Sequence, residues 1–268
     1  MRGMRSRGEL GIALGHSARG TEVTHNFQSG CMRMRMLPGN GTAPTGVILN
    51  TSGGLAEGDH VTQTVDWGAG TAATLTSQAC EKVYRAMDRG AVVNTRLIVG
   101  EYARAEWLPQ ETILFDRARL TRTTDVKLGQ GARFLGLEAV VFGRSAMDEQ
   151  VVTGLLDDRW RIWREGRLIY ADALRLDDAV GALMARAALG GGARAIGVIV
   201  LAVAAATALL EPVRAALAKV RGMAAASSWN DLLVVRLLAP DGAALRYDLT
   251  LALAALRAGQ ALPRVWGC

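Results

Sequence analysis

Three polar clusters hold most of the residues with chemical potential in this chain. The first is Asn50-Thr51-Ser52-Gly53-Gly54-Leu55-Ala56-Glu57-Gly58-Asp59, and the second runs from Ser77 through Gln78, Cys80, Glu81, Lys82 and Tyr84 to Arg85. The third sets Glu106, Gln110, Glu111 and Asp116 among Trp107, Leu108, Ile113, Leu114 and Phe115. Carboxylates in such an apolar setting need a partner or an ion, because an isolated charge is expensive to bury. Lys82, Arg85 and Arg144 are possible partners, and a hydrated divalent cation is another. The plainer alternative is turns with solvated charge.

Other chemistries find less support. The three histidines, His16, His25 and His60, show no ligand spacing. The cysteines are Cys31, Cys80 and the terminal Cys268, and none sits in a nucleophile or zinc pattern. Gly68 to Ala73 matches a dinucleotide fingerprint, but the Thr-rich residues that follow read as strand where that motif needs a helix. Gly53 to Gly58 has the outer glycines of a phosphate loop and then continues Asp59-His60, which repels phosphate.

The elements that must position these clusters read as β structure from about residue 20 to 175. Met32, Met34 and Met36 alternate with arginines, and Val61, Gln63, Val65 and Trp67 alternate with polar residues, a period of two. Glu165-Gly166 between Trp160–Arg164 and Arg167–Tyr170 predicts a two-residue hairpin. Three segments echo one another: Trp67-Gly68-Ala69-Gly70-Thr71, Val99-Gly100-Glu101-Tyr102-Ala103 and Leu128-Gly129-Gln130-Gly131-Ala132. Their first glycines are 32 and 29 residues apart, which suggests stacked layers of a helical, solenoid-like β structure. A common Gly-x-x-Ala turn is the competing explanation.

The last third changes character. Leu174 to Ala195 reads as a connection with short helical pieces, and Ile196 to Val203 and Leu232 to Leu238 as buried strands. Two α-helices are expected toward the C-terminus. One is Pro212 to Arg221, and the other carries Leu245, Leu249, Leu253 and Leu256 on one face. Pro240-Asp241-Gly242 predicts a turn. The expectation is one mainly β domain over residues 1–268, with residues 1–20 a flexible basic N-terminus.

Composition bounds the function. The chain has 268 residues, 50% of them hydrophobic and 21% charged, enough for a real core and too apolar for disorder. Net charge is +6, and only Lys82, Lys127 and Lys219 are lysines, so the excess is arginine, suited to bidentate carboxylate contacts. The longest uncharged apolar run, Ala195 to Leu210, falls short of the about 20 residues a spanning helix needs. With no apolar leader and unpaired cysteines, the expectation is a cytoplasmic protein.

The clusters carry a family resemblance. NTSGGLAEGD at Asn50–Asp59, TSQACEKVYR at Thr76–Arg85, EWLPQETILFD at Glu106–Asp116, GARFLGLEAVVFGR at Gly131–Arg144 and LPRVW at Leu262–Trp266 resemble the urease accessory protein UreD (UreH) family. Order and spacing match over roughly residues 20 to 266. The family often has Gly-Gly-Asp at Glu57-Gly58-Asp59 and Thr or Ala at Cys80, which leaves any role for Cys80 open.

The resemblance implies a non-enzymatic chaperone of nickel insertion with a helical β fold and two helices. It implies UreF as partner, UreF in turn recruiting the GTPase UreG, and urease apoprotein as the target. It also implies an internal passage for transient nickel, with no tightly bound cofactor, no nucleic acid and no membrane. Asp59, Glu106, Glu111 and Glu138 are the expected passage lining, Gln110 and Tyr84 add neutral oxygens, and Arg85 and Arg144 brace the carboxylates. A structural salt bridge is the competing expectation for each carboxylate. Scarce His and Cys suit a route that must release its metal. The alternative from another class is a β-solenoid enzyme acting on an anionic polymer. A nucleic-acid binder is disfavoured by the few aromatics.

Overall fold

A computed structural model of the chain describes residues 5–37, 43–144 and 147–267. The chain opens with β1 (Arg7–Ser17), β2 (Gly20–Gly30), β3 (Met32–Leu37) and β4 (Thr45–Asn50). Three coils of similar design follow: β5 (His60–Trp67), β6 (Ala72–Ser77) and β7 (Glu81–Val83); β8 (Ala91–Val99), β9 (Arg104–Leu108) and β10 (Thr112–Leu114); β11 (Arg119–Leu128) and β12 (Arg133–Phe142). Next come β13 (Gly154–Arg164), β14 (Arg167–Asp178), α1 (Val180–Ala185) and β15 (Ala195–Ala202). The chain ends with α2 (Leu210–Leu217), β16 (Met223–Trp229), β17 (Leu232–Ala239) and α3 (Gly242–Leu256).

Among the described residues these strands form two facing sheets. Sheet A has the order β14-β13-β11-β8-β5-β1-β2, and the run from β1 to β13 is parallel. Sheet B runs β16-β17-β15-β12-β9-β6-β4-β3, with β7 and β10 stacked beside the far end of β12. The chain alternates between the sheets coil after coil, which is the solenoid expected from the repeat.

The repeat itself is the stacked corner between the sheets. Gly100 N donates to Trp67 O at 2.7 Å, and Gly129 N to Val99 O at 2.8 Å. Within each corner the fourth residue donates to the first glycine: Thr71 to Gly68, Ala103 to Gly100 and Ala132 to Gly129, all at 3.2 Å. The leading glycine is needed because a Cβ at Gly100 would sit 2.8 Å from Ala69 N of the corner before it. The third position is left-handed in all three, with φ of 69° at Gly70, 56° at Tyr102 and 66° at Gly131.

Two apolar cores result. One lies between the sheets and includes Trp67, Leu97, Val126, Phe134 and Ile162. The other lies on the outer face of sheet B, where Leu135, Leu137, Ile199 and Val235 meet α2 and α3. Both faces of β12 are therefore buried, and its sequence is a near-continuous apolar run, as strands covered on two sides require.

The hairpin at Glu165-Gly166 forms with both residues at positive φ. The four leucines named on the last helix are all buried. Asp241, expected in a turn, caps that helix by accepting from Ala244 N at 2.8 Å. The two helices expected toward the C-terminus are α2 and α3, and the connection expected to hold short helical pieces carries α1, after β14 has run on to Asp178. Two expectations are corrected. The first expected helix starts two residues earlier, at Leu210, and ends at Leu217. Its predicted tail, Ala218 to Arg221, lies outside the helix, and Arg221 N and Gly222 N donate to buried Asp248. Finally, residues 7–17 are a strand, paired with β2 and β5, in place of a loose N-terminus. Among the described residues no helix is long and apolar enough to cross a membrane. Cys268 lies outside the described residues.

Candidate functional site

The inward faces of the sheet A strands are apolar except in one band. In β5 the inward residues are Val61, Gln63, Val65 and Trp67; in β11 they are Leu120, Arg122, Thr124, Val126 and Leu128. Parallel register aligns Gln63 with Thr95, Thr95 with Thr124, and Thr124 with Trp160; the antiparallel hairpin then sets Asp172 beside Trp160. In the neighbouring row Arg122 pairs with Asp158. A polar stripe thus crosses the apolar interior at right angles to the strands, along the solenoid axis. Glu138 of β12 faces it from sheet B.

At the centre Arg122 is held on every side. Its Nε and Nη2 donate to the two oxygens of Asp158 at 3.2 and 2.6 Å, and Nη1 donates to Thr112 Oγ1 at 2.9 Å. The same Nη1 lies 2.6 Å from Glu138 Oε1. Arg122, Glu138 and Asp158 are 6%, 5% and 8% exposed, so these charges are shielded from solvent.

Cavities lie on either side of this triad. One, of about 270 Å³, is lined by Asn50, Gln63, Glu81, Thr95, Arg122 and Glu138, and reaches the surface at exposed Gly53, Gln78 and Lys82. The other, of about 320 Å³, is lined by Glu138, Asp158, Trp160, Asp172 and Arg236, and reaches the surface at exposed Ala173 and Leu189. Glu138 belongs to both. The indole N–H of Trp160, a residue 3% exposed, meets no acceptor at hydrogen-bonding geometry, yet it favours the charged form of Glu138.

Burial shapes the acidity of the cavity carboxyls. It pushes Glu138 upward, against the pull of Arg122 and with Asp158 adding to the rise. It pushes Glu81 up to about 7, although the Asn50 amide donates to both its oxygens at 3.2 and 3.1 Å. Burial also works against the charge of Arg122, but Asp158 and Glu138 outweigh it and hold the guanidinium firmly protonated. Protons therefore compete with any cation at Glu81 and Glu138 near neutral pH. Among the described residues, no group of three or more His, Cys, Asp or Glu is arranged to hold a metal ion.

Of the four carboxylates expected in the passage, Glu138 alone is among the lining residues of these cavities. The other three have structural partners. Asp59 accepts from Ser6 N at 2.7 Å and Ala56 N at 2.8 Å, which fastens the Gly-rich turn to the first strand. Glu106 lies on the opposite face of sheet B, where both oxygens accept from Arg257 Nε at 3.1 Å and one accepts from Thr74 Oγ1 at 2.6 Å. Glu111 is gripped by Arg246 of α3, with Nε donating at 2.7 Å, and receives Cys80 Sγ at 3.4 Å. Burial, followed by the charge of Glu111, pushes the Cys80 thiol up to about 11.

The supporting residues divide similarly. Gln110 borders the first cavity, but its amide ties Ser77 O, Gln78 O and Val265 O together and its oxygen accepts from Arg246. Tyr84 donates to Gly53 O at 3.0 Å beside that cavity's mouth and packs edge-on against Phe115. Arg144 pairs with Glu149 at 2.7 Å and lies over the Phe115 ring, away from the carboxylates it was expected to brace. Arg85 is exposed and bridges to Ala118 through its backbone. The bracing arginines are instead Arg122, Arg246 and Arg257, and Glu81, Arg122 and Asp158 are the cavity residues the sequence reading missed. A signal existed: Gln63, Thr95, Arg122, Thr124 and Asp158 all break the apolar phase of an alternating strand.

Nearly the whole chain is similar to known proteins. Residues 6–267 match the family model described as UreD urease accessory protein. Urease accessory protein UreD of Rhizobium leguminosarum bv. viciae is 48% identical over 247 residues, covering 92% of this chain and 89% of the relative. That of Xanthobacter autotrophicus is 45% identical over 267 residues, covering 99% and 92%. That of a Methylobacterium species is 44% identical over 272 residues, covering 99% and 96%.

Proposed function

Because this chain belongs to the UreD family of urease accessory proteins, we propose that it is a non-catalytic chaperone of urease maturation that passes nickel through its interior. In this reading it scaffolds UreF, and through it the GTPase UreG, on urease apoprotein, and it acts in the cytoplasm as a single folded domain. Nickel is cargo, held briefly and then released.

The observation that carries this reading is the polar stripe with its two cavities, which meet at Glu138 inside an otherwise apolar solenoid. Each buried polar group in such a stripe must be satisfied at some cost in stability, and a route for a hydrated ion gives that cost a use. The chemistry suits transit. Isolated carboxyls, hydroxyls and an amide bind a borderline divalent metal weakly, whereas clustered imidazole or thiolate would retain it. Proton competition at Glu81 and Glu138 weakens the hold further.

Reconstituted activation of urease at limiting nickel tests the reading. Glu138→Gln and Glu81→Gln should each preserve the fold and co-purification with UreF while lowering urease activation several-fold, with recovery at saturating nickel. Full activation by both variants at limiting nickel refutes the passage. Failure of the wild-type chain to co-purify with UreF, UreG and apoprotein refutes the scaffold.

A further inference from the structure

A buried cation stands between the two cavities. Arg122 and Glu138 line the first cavity, and Glu138 and Asp158 line the second. The guanidinium spans the wall between them, doubly bonded to Asp158, 2.6 Å from Glu138 and donating to Thr112. An ion entering from the first cavity meets a buried positive charge before it reaches the second. A divalent cation cannot share that position with a guanidinium, because the same oxygens serve both.

We infer that Arg122 is the gate of the passage: a tethered stand-in cation that occupies, at rest, the place a divalent ion takes between Glu138, Asp158 and the hydroxyl of Thr112.

Three observations support the gate independently of one another. The first is charge. Two buried carboxylates left without a counter-ion would be strongly unfavourable, so a site that must stand empty between cargoes needs an internal cation. Arg122 supplies it, and Glu81, a carboxyl lining the same cavity, can receive the guanidinium when it is displaced, giving up its proton as it does. With nickel between Glu138 and Asp158 the two charges of the ion match the two carboxylates, and Arg122 turns into the cavity that Glu81 lines. The second is space. The cavity of about 270 Å³ lies on the side of Arg122, so the long side chain has somewhere to turn without moving the backbone. The third is Trp160. Its buried indole N–H lines the second cavity with Glu138 and Asp158 and leans toward Glu138 without reaching hydrogen-bonding geometry. Such a donor calls for an oxygen, and either a water carried by the ion or Glu138 freed from Arg122 provides one.

The donor set also explains why nickel would leave. Two carboxylates and one hydroxyl from the protein leave the remaining positions to water, a set weaker than imidazole or thiolate. The returning guanidinium then competes for the same oxygens and pushes the ion on.

This inference rests on the passage reading, and measurements on the full-length chain separate the two. In equilibrium dialysis with nickel alone, Arg122→Gln should bind one ion at least tenfold more tightly than wild type, and Arg122→Gln/Glu138→Gln should lose that gain. Unchanged affinity in Arg122→Gln, or a gain kept in the double variant, overturns the gate. Because Arg122→Gln leaves two buried carboxylates uncompensated, a second measurement uses the wild-type fold. The ¹⁵N indole signal of Trp160, identified by its loss in Trp160→Phe, should broaden under added nickel before that of exposed Trp229. Equal broadening of the two overturns the gate. Lowered urease activation by Glu81→Gln together with unchanged nickel affinity in Arg122→Gln sinks the gate and leaves the passage standing. Full activation by both Glu81→Gln and Glu138→Gln sinks the passage itself.

Discussion

Glu106 and Glu138 lie only a few strand positions apart in the fold, yet Glu106 is paired with Arg257 on the outer face of sheet B while Glu138 lines both interior cavities, and a pair of substitutions tests the proposed division of work. Glu106 is 7% exposed and meets Arg257 through both oxygens, with Nη2 at 3.0 Å and Nε at 3.1 Å, while Thr74 donates to it at 2.6 Å. Glu106→Ala strands Arg257, itself 8% exposed, beneath the end of α3. Removing one partner of a buried ion pair costs about 3–5 kcal/mol. Arg257 keeps the carbonyls of Gln260 and Ala261 as acceptors, which argues for the lower end, about 3 kcal/mol. For a chain of this size that corresponds to a fall in Tm of roughly 6–12 °C. Glu138→Gln should be milder. Arg122 retains its two bonds to Asp158, and burial already favours the neutral form of Glu138, so a loss of about 1 kcal/mol is expected. Thermal unfolding followed by circular dichroism reads the stabilities. A double-mutant cycle of Glu106→Ala with Arg257→Ala should return a coupling of roughly 2–3 kcal/mol. Urease activation at limiting nickel, measured below the transition temperature of each variant, should fall for Glu138→Gln and hold for Glu106→Ala. The reasoning is refuted if Glu106→Ala leaves Tm unchanged while lowering nickel delivery, because Glu106 would then serve the passage.

Further outcomes follow from other parts of the structure. The acidity of Glu81, raised to about 7 from its ordinary 4.5, means that its neutral form stabilises the fold fully below about pH 4.5 and that this contribution is lost as pH rises through about 7. Glu81→Gln should therefore gain in Tm over wild type at pH 8.5 and not at pH 4, and a constant difference across that range contradicts the assignment. Nickel delivery by the wild type should likewise rise between pH 6 and 8 as Glu81 and Glu138 release protons, with a shallower rise in Glu81→Gln. Gly100→Ala places a Cβ 2.8 Å from Ala69 N and 2.9 Å from Trp67 O, so the stacked corners must part. A loss of roughly 1–3 kcal/mol in urea unfolding is expected, and none if the corners do not stack. Trp266 is 7% exposed, donates to Thr76 Oγ1 at 3.1 Å and lies against Arg246. Trp266→Ala should cost about 3–5 kcal/mol and speed alkylation of nearby Cys80, whereas wild-type Cys80, with its thiol raised to about 11, should react slowly at pH 8.

The legible parts of this molecule were those with local causes. The corner glycines announced the coil because each backbone passes within contact distance of the one before, a demand repeated at a fixed interval. The Met32-Met34-Met36 alternation and the Glu165-Gly166 hairpin were readable because parity and turn geometry are properties of neighbouring residues. The same parity held the stripe: Gln63, Arg122 and Asp158 each interrupt an apolar phase, and aligning the strands by their corner glycines would have exposed the row. Cluster density drew attention instead to Glu106 and Glu111, whose polar company reflects bracing of the C-terminal segment.

The sequence by itself determined the family, the mainly β solenoid, the helix carrying Leu245 to Leu256 and the scarcity of metal-retaining side chains. These rest on short-range periodicity and on motifs that are written out along the chain. Only the tertiary structure decided which carboxylates see the interior cavities and which arginine answers each. In β9 and β12 both faces are covered, so alternation no longer separates inside from outside. Glu106 and Glu138 look alike in one dimension; sheet B lies between them in three. Their partners, Arg257 for one and Arg122 with Asp158 for the other, come from 151 residues away along the chain in the first case and from the same coil and the next strand in the second.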